Sequence, residues 1–273
     1  MAGMTDTWTE VADRVYVRRH RSMDLNVSLI VGEGACLVVD TRATEKEGQD
    51  LVEAIRTVTP HPWVVVNTHF HFDHTFGNRM FRPAEIWGHR RCAEQLIEDG
   101  ERMRGAIAGR YREHGLDEMA AEIEASTIDP PDQLVDDLAT LTVGGRPVQL
   151  RHLGRGHTDN DLVLTVPDAD GLVIAGDLVE EGAPPQFGSA FPLDWPQTLD
   201  AVAELVTGRL VPGHGAVVDR EFVTAQRAEH ADLVAKATDG HANGRPAADV
   251  AKELSYFGNC ALEGVERAYL QLQ

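Results

Sequence analysis

The stretch VVVNTHFHFDHTFGN, residues 64–78, places three histidines and one aspartate within six residues, directly after a run of valines. The β-branched run indicates a buried strand, so the imidazoles come where this strand ends. His69 and His71 are two residues apart on an extended segment, which directs both side chains to the same side. Asp73 and His74 follow at a turn, which aims them at a second point. Three imidazoles beside a carboxylate need a common partner, and their chemistry indicates a metal ion.

More ligands are expected far from this motif, because the motif alone exceeds the needs of one catalytic zinc, which takes about three protein ligands and a water. They should lie at strand ends or in loops, beside small residues that let the backbone approach an ion. Three positions fit: His157 in LGRGHTDND, Asp177 at the end of LVIAGD, and His214 between the glycines of LVPGHGA. The total of five histidines and two aspartates is enough for two divalent ions.

The ordered pattern H-x-H-x-D-H, then His, Asp and His, resembles the metallo-β-lactamase superfamily over residues 15–216. The resemblance implies an α/β (α+β) fold, a four-layered αβ/βα sandwich with the metals at the edge between two sheets. It also implies two ion sites that share one aspartate: His69, His71 and His157 for one ion, Asp73, His74 and His214 for the other, and Asp177 as the bridge. Asp73 and Asp177 are accordingly assigned to catalysis as well as to metal binding.

Asp40 ends the strand-like run LVVDT and matches an aspartate that the family carries before the metal motif. Two interpretations stay open for it. It is either the cap of a helix that begins near Thr44, or a residue that supports a metal ligand from behind. His89 and His152 have no comparable setting, and we interpret them as satisfied or solvated side chains rather than ligands.

Strand-like and helix-like segments alternate along most of the chain, as expected for sheets covered by helices. We predict a single metallo-β-lactamase-like domain over residues 1–273. Its core is predicted at residues 15–216, a helical insert at residues 90–135, and C-terminal helices at residues 217–273.

Two segments leave alternatives open. The insert is predicted to contain helices at residues 102–112 and 117–125, which form either a lid over the site or ordinary packing on a core. The loop EEGAPPQFGSAFPLDW, which follows Asp177, either forms an apolar wall of the substrate pocket or turns its aromatic residues into the core. Those residues are Phe187, Phe191 and Trp195.

Composition limits the partners and the location. The net charge of −19, from 25 Lys and Arg against 44 Asp and Glu, repels phosphate backbones, so nucleic acid is not expected as a partner. The sequence has no basic and apolar leader and no apolar run near the roughly 18 residues of a membrane span. The three cysteines are far apart and lack a C-x-x-C pattern, which fits free thiols in a reducing cytoplasm. We therefore predict a cytoplasmic protein whose partner is a small-molecule substrate.

The ligand set predicts a zinc-dependent hydrolase with two Zn²⁺ per chain, and iron or manganese also fits such imidazole-rich ligands. Two ions a few Å apart can share a hydroxide of lowered pKa and polarise the bond under attack. The predicted reaction is cleavage of a small-molecule thioester, lactone, ester or amide by this metal-bridged hydroxide.

Other functions remain as alternatives. A persulfide dioxygenase-like oxidoreductase would hold a single iron with the equivalents of His69, His157 and Asp177. A β-lactam hydrolase is a further alternative, although true β-lactamases of this superfamily lack the bridging carboxylate. A non-enzymatic metal-binding module is disfavoured, because structural zinc sites are normally closed by about four protein ligands around each ion.

Overall fold

The computed structural model describes residues 6–273, and chain contacts divide the protein into two compact units. The first unit ends at Arg151 and the second begins at His152. Within the described residues, twelve strands form two sheets, of seven and five strands, accompanied by eight α-helices. This is the mixed α/β fold that the sequence predicts, whereas the predicted boundaries of core, insert and C-terminal helices stay predictions. None of the described helices is both long and apolar enough to cross a membrane.

The first unit is built around the seven-stranded sheet, whose strands lie side by side in chain order. Strands β1 to β4 pair antiparallel and β4 to β7 pair parallel. The strands are β1 Trp8–Ala12, β2 Val15–Arg19, β3 Asn26–Val31, β4 Cys36–Val39, β5 Trp63–Val66, β6 Ile86–His89 and β7 Gln133–Val135. Because β4 and β5 are parallel neighbours, their carboxyl ends meet at one edge of the sheet. That edge carries Asp40 and the histidine motif.

Four helices and a hairpin complete the first unit. The helices are α1 Glu45–Arg56, α2 Phe72–Thr75, α3 Arg90–Glu113 and α4 Asp117–Ala125. The hairpin joins β8, Leu138–Val143, to β9, Arg146–His152, through the turn at Gly144 and Gly145 that the sequence indicates. Helix α1 buries Leu51 and Ile55 in the core of the sheet.

The insert differs from its prediction in one respect. The expected start of its first helix at residue 102 is wrong, because α3 already begins at Arg90. The additional turns bury Cys92 and Leu96, whose spacing of four residues places them on one helix face. Charged residues surround this short apolar stripe in RRCAEQLIEDGE and hide it in the sequence. The second predicted helix coincides with α4.

The second unit contains three strands and four helices. The strands are β10 Leu162–Val166, β11 Leu172–Glu180 and β12 Leu210–His214, and the helices are α5 Trp195–Leu205, α6 Arg220–Ala242, α7 Ala247–Ala251 and α8 Ala261–Gln271. Strand β11 pairs antiparallel with β10 and parallel with β12. Phe187 and Trp195 are fully buried in the apolar core of this unit. The loop after Asp177 thus directs these two aromatic residues into the core rather than into a pocket wall.

His230 on α6 lies in the middle of this aromatic core. It is fully buried, and neither ring nitrogen has a hydrogen-bond partner within residues 6–273. Its ring centroid is 4.3 Å from that of Trp195, 5.3 Å from Phe257 and 5.7 Å from Phe187. Burial lowers the pKa of His230 to about 3. The folded protein therefore holds this imidazole neutral at pH values where a solvated histidine is charged.

We expect His230→Leu to flatten the acid dependence of stability. In the parent, the unfolded chain binds a proton at His230 below about pH 6.5 that the folded chain excludes until about pH 3. This group therefore lowers the free energy of unfolding by up to about 1.4 kcal/mol for each pH unit between those values as the pH falls. Urea unfolding at several pH values between 4.5 and 7.5 measures the difference between parent and variant.

His241→Leu is the matched control. His241 lies on the same helix, partly exposed beside Tyr269, so its replacement should leave the slope of the parent unchanged. Parallel pH profiles for the parent and His230→Leu would contradict a buried neutral imidazole at this position.

Candidate metal centre

The first group of candidate ligands follows β5 in the first unit. After β5 the chain bends at residues 68–70 and then enters α2, with His71 at its N-terminal cap. This bend folds the motif back on itself. The ring centroid of His69 lies 4.7 Å from that of His71 and 4.2 Å from that of His74. Asp73 joins them, with Oδ2 3.6 Å from Nε2 of His74. All four predicted ligands of this unit are therefore neighbours.

Asp40 and Thr68 lie behind these rings and set their orientation. The Asp40 carboxylate accepts hydrogen bonds from Nδ1 of His74 at 2.8 Å, and from both the backbone N–H and the hydroxyl of Thr68 at 2.8 Å. Since the Thr68 hydroxyl donates to Asp40, its oxygen can accept from Nδ1 of His69 at 3.1 Å. Nδ1 of both rings is thus engaged, and Nε2 is the nitrogen suited to bind a metal.

The position of Asp40 decides between its two interpretations. Helix α1 is capped by Thr44, whose side chain accepts the backbone N–H of Glu47 at 3.1 Å. Asp40 instead bonds to His74 and Thr68, and it is 2 % exposed. The capping interpretation is wrong, because Thr44 already satisfies the first turn of the helix. Thr68 has no signal in the sequence, where it reads as an ordinary strand-end residue.

The second group of candidate ligands lies in the second unit and centres on one oxygen atom. Oδ2 of Asp177 lies 3.5 Å from Nε2 of His157 and 3.3 Å from Nε2 of His214. Asp177 and His157 are buried, and His214 is partly exposed at the end of β12. Two imidazole nitrogens therefore converge on the same carboxylate oxygen, although their residues are 57 positions apart in the sequence.

Hydrogen bonds among residues 158–161 hold the loop that carries His157. The Asp161 carboxylate accepts the backbone N–H and the hydroxyl of Thr158, both at 2.8 Å, and the Thr158 oxygen accepts the N–H of Asn160 at 3.0 Å. Burial raises the pKa of Asp161 to about 7. Nothing in the sequence distinguishes Asp161, because an aspartate in a polar loop carries no distinctive signal. Its bonds to Thr158 fix the residue that follows His157.

Strand β11 approaches β12 closely at Asp177. Gly176 has a φ of +53°, a left-handed conformation that favours glycine, and the pairing register with β12 shifts on both sides of it. Gly213 on β12 leaves the space that the Asp177 side chain fills, since a Cβ atom there would lie 1.8 Å from Asp177 Oδ1. Gly176 is therefore explained by its backbone conformation, and Gly213 by the space that the Asp177 side chain occupies.

The insert helix α3 packs near the motif of the first unit. Met103, Ile107 and Tyr111 are partly buried against the cluster that includes Phe70 and Phe76. The Tyr111 hydroxyl donates to Sδ of Met23 at 3.6 Å. Burial first, and then the charges of Asp73 and Glu47, raise the pKa of Tyr111 above its ordinary value. These three side chains of α3 contribute to packing, and a lid function of the insert stays a prediction.

The donor set is chemically suited to a transition metal. Imidazole nitrogen and carboxylate oxygen are ligands of zinc, iron and manganese. Within residues 6–273, the side chains that could take part in holding a metal ion are the seven predicted ligands. His89 and His152 take other roles. His89 caps α3 and bonds to the Asp136 carbonyl, and His152 bonds to the Asp161 carbonyl.

Comparison with known proteins gives a family match. The model of the metallo-beta-lactamase superfamily matches residues 24–214. A metallo-beta-lactamase type 2 from Bacteroides fragilis is 31% identical over 98 residues, which cover 34% of this chain and 39% of the relative. A linear primary-alkylsulfatase from Pseudomonas sp. (strain ATCC 19151) is 25% identical over 215 residues, covering 67% of this chain and 40% of the relative. The alignments thus span about two fifths of each relative's length.

Solved structures show the same fold. The stereoselective inverting sec-alkylsulfatase Pisa1 from Pseudomonas sp. matches with a TM-score of 0.78 and 17% identity, over 97% of this chain and 50% of that protein. The DIM-1 metallo-beta-lactamase matches with a TM-score of 0.61 and 18% identity, over 81% of this chain and 94% of that protein. At these identities the likeness concerns the fold.

Proposed function

The chain belongs to the metallo-β-lactamase superfamily, and from this premise we propose that it is a hydrolase with two metal ions that acts on a small-molecule thioester, lactone, ester or amide. Members of this superfamily are metal-dependent hydrolases, and the chain carries the corresponding His and Asp side chains. Zinc is the proposed metal. The cytoplasmic location and the exclusion of nucleic-acid and membrane partners stay predictions from the sequence.

One observation carries the proposal of two ions. Oδ2 of Asp177 is near Nε2 of both His157 and His214. The family pattern assigns these two histidines to different ions, so the shared oxygen is suited to bridge them. We propose the ligand sets implied by that pattern: His69, His71 and His157 for one ion, and Asp73, His74 and His214 for the other.

The residues of this chain have separate tasks in the proposed reaction. Asp73 and Asp177 supply the negative charge that offsets two cations held close together. Asp40 and Thr68 hold His69 and His74 with Nε2 presented to the ions. When bound, the ions would supply a water of lowered pKa and polarise the bond under attack. With that chemistry available, the proposed reaction requires no serine or cysteine nucleophile.

Alkyl sulfate esters are a second candidate substrate class. The specific observation is the alignment with the linear primary-alkylsulfatase, which covers 67% of this chain, whereas the alignment with the Bacteroides β-lactamase covers 34%. A β-lactam substrate stays a further alternative. The persulfide dioxygenase-like oxygenase alternative differs from all of these hydrolases because it would hold a single iron.

The test combines elemental analysis with a substrate panel. Purified protein is expected to contain about two transition-metal ions per chain, mostly zinc. The panel contains a thioester, a lactone, a carboxylic ester, an amide, a chromogenic β-lactam and a primary alkyl sulfate. Hydrolysis should stop when a chelator removes the metal and return when zinc is added back. Release of inorganic sulfate distinguishes the second candidate class from the first.

His71→Ala and His89→Ala form the matched pair for this test. His71→Ala should lower the metal content and abolish hydrolysis. His89→Ala should retain both, while removal of the cap of α3 costs about 1 kcal/mol of stability. One iron per chain with little zinc would replace the hydrolase proposal with the oxygenase alternative, and equal metal loss in both variants would overturn the ligand assignment.

A further inference from the structure

We propose that Glu180 is a positioning residue that orients His157 by accepting a hydrogen bond from its Nδ1–H; this inference rests on the proposed metal site. Glu180 is the last residue of β11, and its side chain is 4 % exposed. Its Oε1 atom lies 4.0 Å from Nδ1 of His157, whose Nε2 lies 3.5 Å from Oδ2 of Asp177. The His157 ring therefore lies between two carboxylates of one strand.

An irregularity in β11 makes this arrangement possible. On a regular strand, residues three positions apart point to opposite faces, so Asp177 and Glu180 would not reach the same ring. The pairing of β11 with β12 aligns Gly176 with Pro212 and Glu180 with His214. Four steps along β11 thus correspond to two steps along β12, so β11 bulges between these pairs. The bulge turns both carboxylates towards His157.

Hydrogen bonds to Gln186 and Gln226 hold Glu180 in this place. The Gln186 N–H donates to Glu180 Oε1 at 3.4 Å, and the Glu180 N–H donates to the Gln226 side-chain oxygen at 3.4 Å. Gln226 in turn donates its amide to the Leu178 carbonyl at 3.1 Å. One bond therefore holds the carboxylate and the other holds the backbone of the same residue, and a buried, fixed acceptor can orient a ring.

His74 provides the internal comparison. Its Nε2 faces Asp73, and its Nδ1 donates to Asp40 at 2.8 Å. His157 has the same two-sided setting, with Asp177 on the Nε2 side and Glu180 on the Nδ1 side. A separation of 4.0 Å exceeds a direct hydrogen bond, so a small rotation or one bridging water must close it. Metal ligation through Nε2 places the proton on Nδ1, which is the donor that Glu180 would accept.

The experiment measures metal binding rather than hydrolysis. Metal-free parent, Glu180→Leu and Glu180→Gln are titrated with zinc against a competing chelator. In Glu180→Leu, one of the two equivalents should bind about 10- to 100-fold more weakly and the other should be unchanged. Glu180→Gln keeps the size and an acceptor oxygen, so its loss should be smaller. Glu229→Gln, on the outer face of α6, should bind both equivalents like the parent.

A spectroscopic signature separates positioning from a general structural effect. In cobalt-loaded parent, exchangeable Nδ1–H protons of ligand histidines give paramagnetically shifted proton resonances. One of these resonances should shift in Glu180→Gln and disappear through faster exchange in Glu180→Leu. Unchanged affinity and resonances in Glu180→Gln, or in a folded Glu180→Leu, would overturn the role of Glu180. A parent that binds no metal would instead overturn the proposed function.

Discussion

Replacement of Asp177 by Asn is expected to lower kcat by on the order of 100-fold or more and to reduce the metal content from about two ions per chain towards one. Oδ2 of this buried carboxylate lies 3.5 Å from Nε2 of His157 and 3.3 Å from Nε2 of His214. Asparagine keeps the size of the side chain and one oxygen donor. It removes the negative charge that the proposed site needs to hold two cations close together.

Asp200→Asn is the control for this prediction. Asp200 is an exposed residue of α5 that pairs with Arg227 at 2.8 Å, so the same chemical change there should leave metal content and rate unaltered. Elemental analysis and steady-state kinetics on the substrate identified with the panel give both quantities. If Asp177→Asn kept two ions and the parental kcat, the carboxylate would not be the shared ligand.

The sequence was sufficient to find residues whose signal is local. In the histidine motif, the prediction that His69 and His71 are neighbours is confirmed by ring centroids 4.7 Å apart, although the chain bends at residues 68–70 instead of staying extended. His157, Asp177 and His214 were singled out because the sequence indicates a strand end and a glycine close to each; for Asp177 the predicted strand end is wrong, because β11 continues to Glu180. A ligand must be near a strand end or loop that the backbone can bring close to its partners, and this requirement leaves a pattern in the sequence.

Supporting residues leave no such pattern. Thr68 and Asp161 acquire their roles from contacts that appear only in the folded chain, such as the bond from Thr68 to Asp40. Glu180 lies three residues after Asp177, a spacing that a regular strand would turn to the opposite face. Its direction depends on the bulge in β11, and nothing in GDLVEEG indicates that bulge. The same limit applies to Phe187 and Trp195, because composition does not say whether a loop aromatic residue faces solvent or core.

Substitution of Gly213 by Ala should disturb the site as strongly as the loss of the Asp177 charge, although Gly213 contributes no ligand. An added Cβ atom would lie 1.8 Å from Asp177 Oδ1 and 2.9 Å from Asp177 N. Both distances are too short for non-bonded atoms, so the carboxylate or the strand must move. We expect loss of one ion, a fall in kcat on the order of 100-fold, and a decrease of about 1–3 kcal/mol in the unfolding free energy of the metal-free protein.

A double-mutant cycle identifies the cause of this effect. Asp177→Ala removes the Oδ1 atom that meets the new methyl group, so Gly213→Ala should destabilise the metal-free Asp177→Ala protein less than it destabilises the parent. The two substitutions should therefore be non-additive, with a coupling of about 0.5–3 kcal/mol in urea unfolding.

Gly109→Ala is the control, because an added Cβ on α3 would meet no atom of a neighbouring element within 4 Å. That change should leave the metal content unaltered and raise stability by up to about 1 kcal/mol, since alanine favours a helix more than glycine does. Additive costs for Gly213→Ala and Asp177→Ala would mean that the strain falls on the backbone of β11 rather than on the carboxylate, and that Gly213 does not control the position of the proposed bridging ligand.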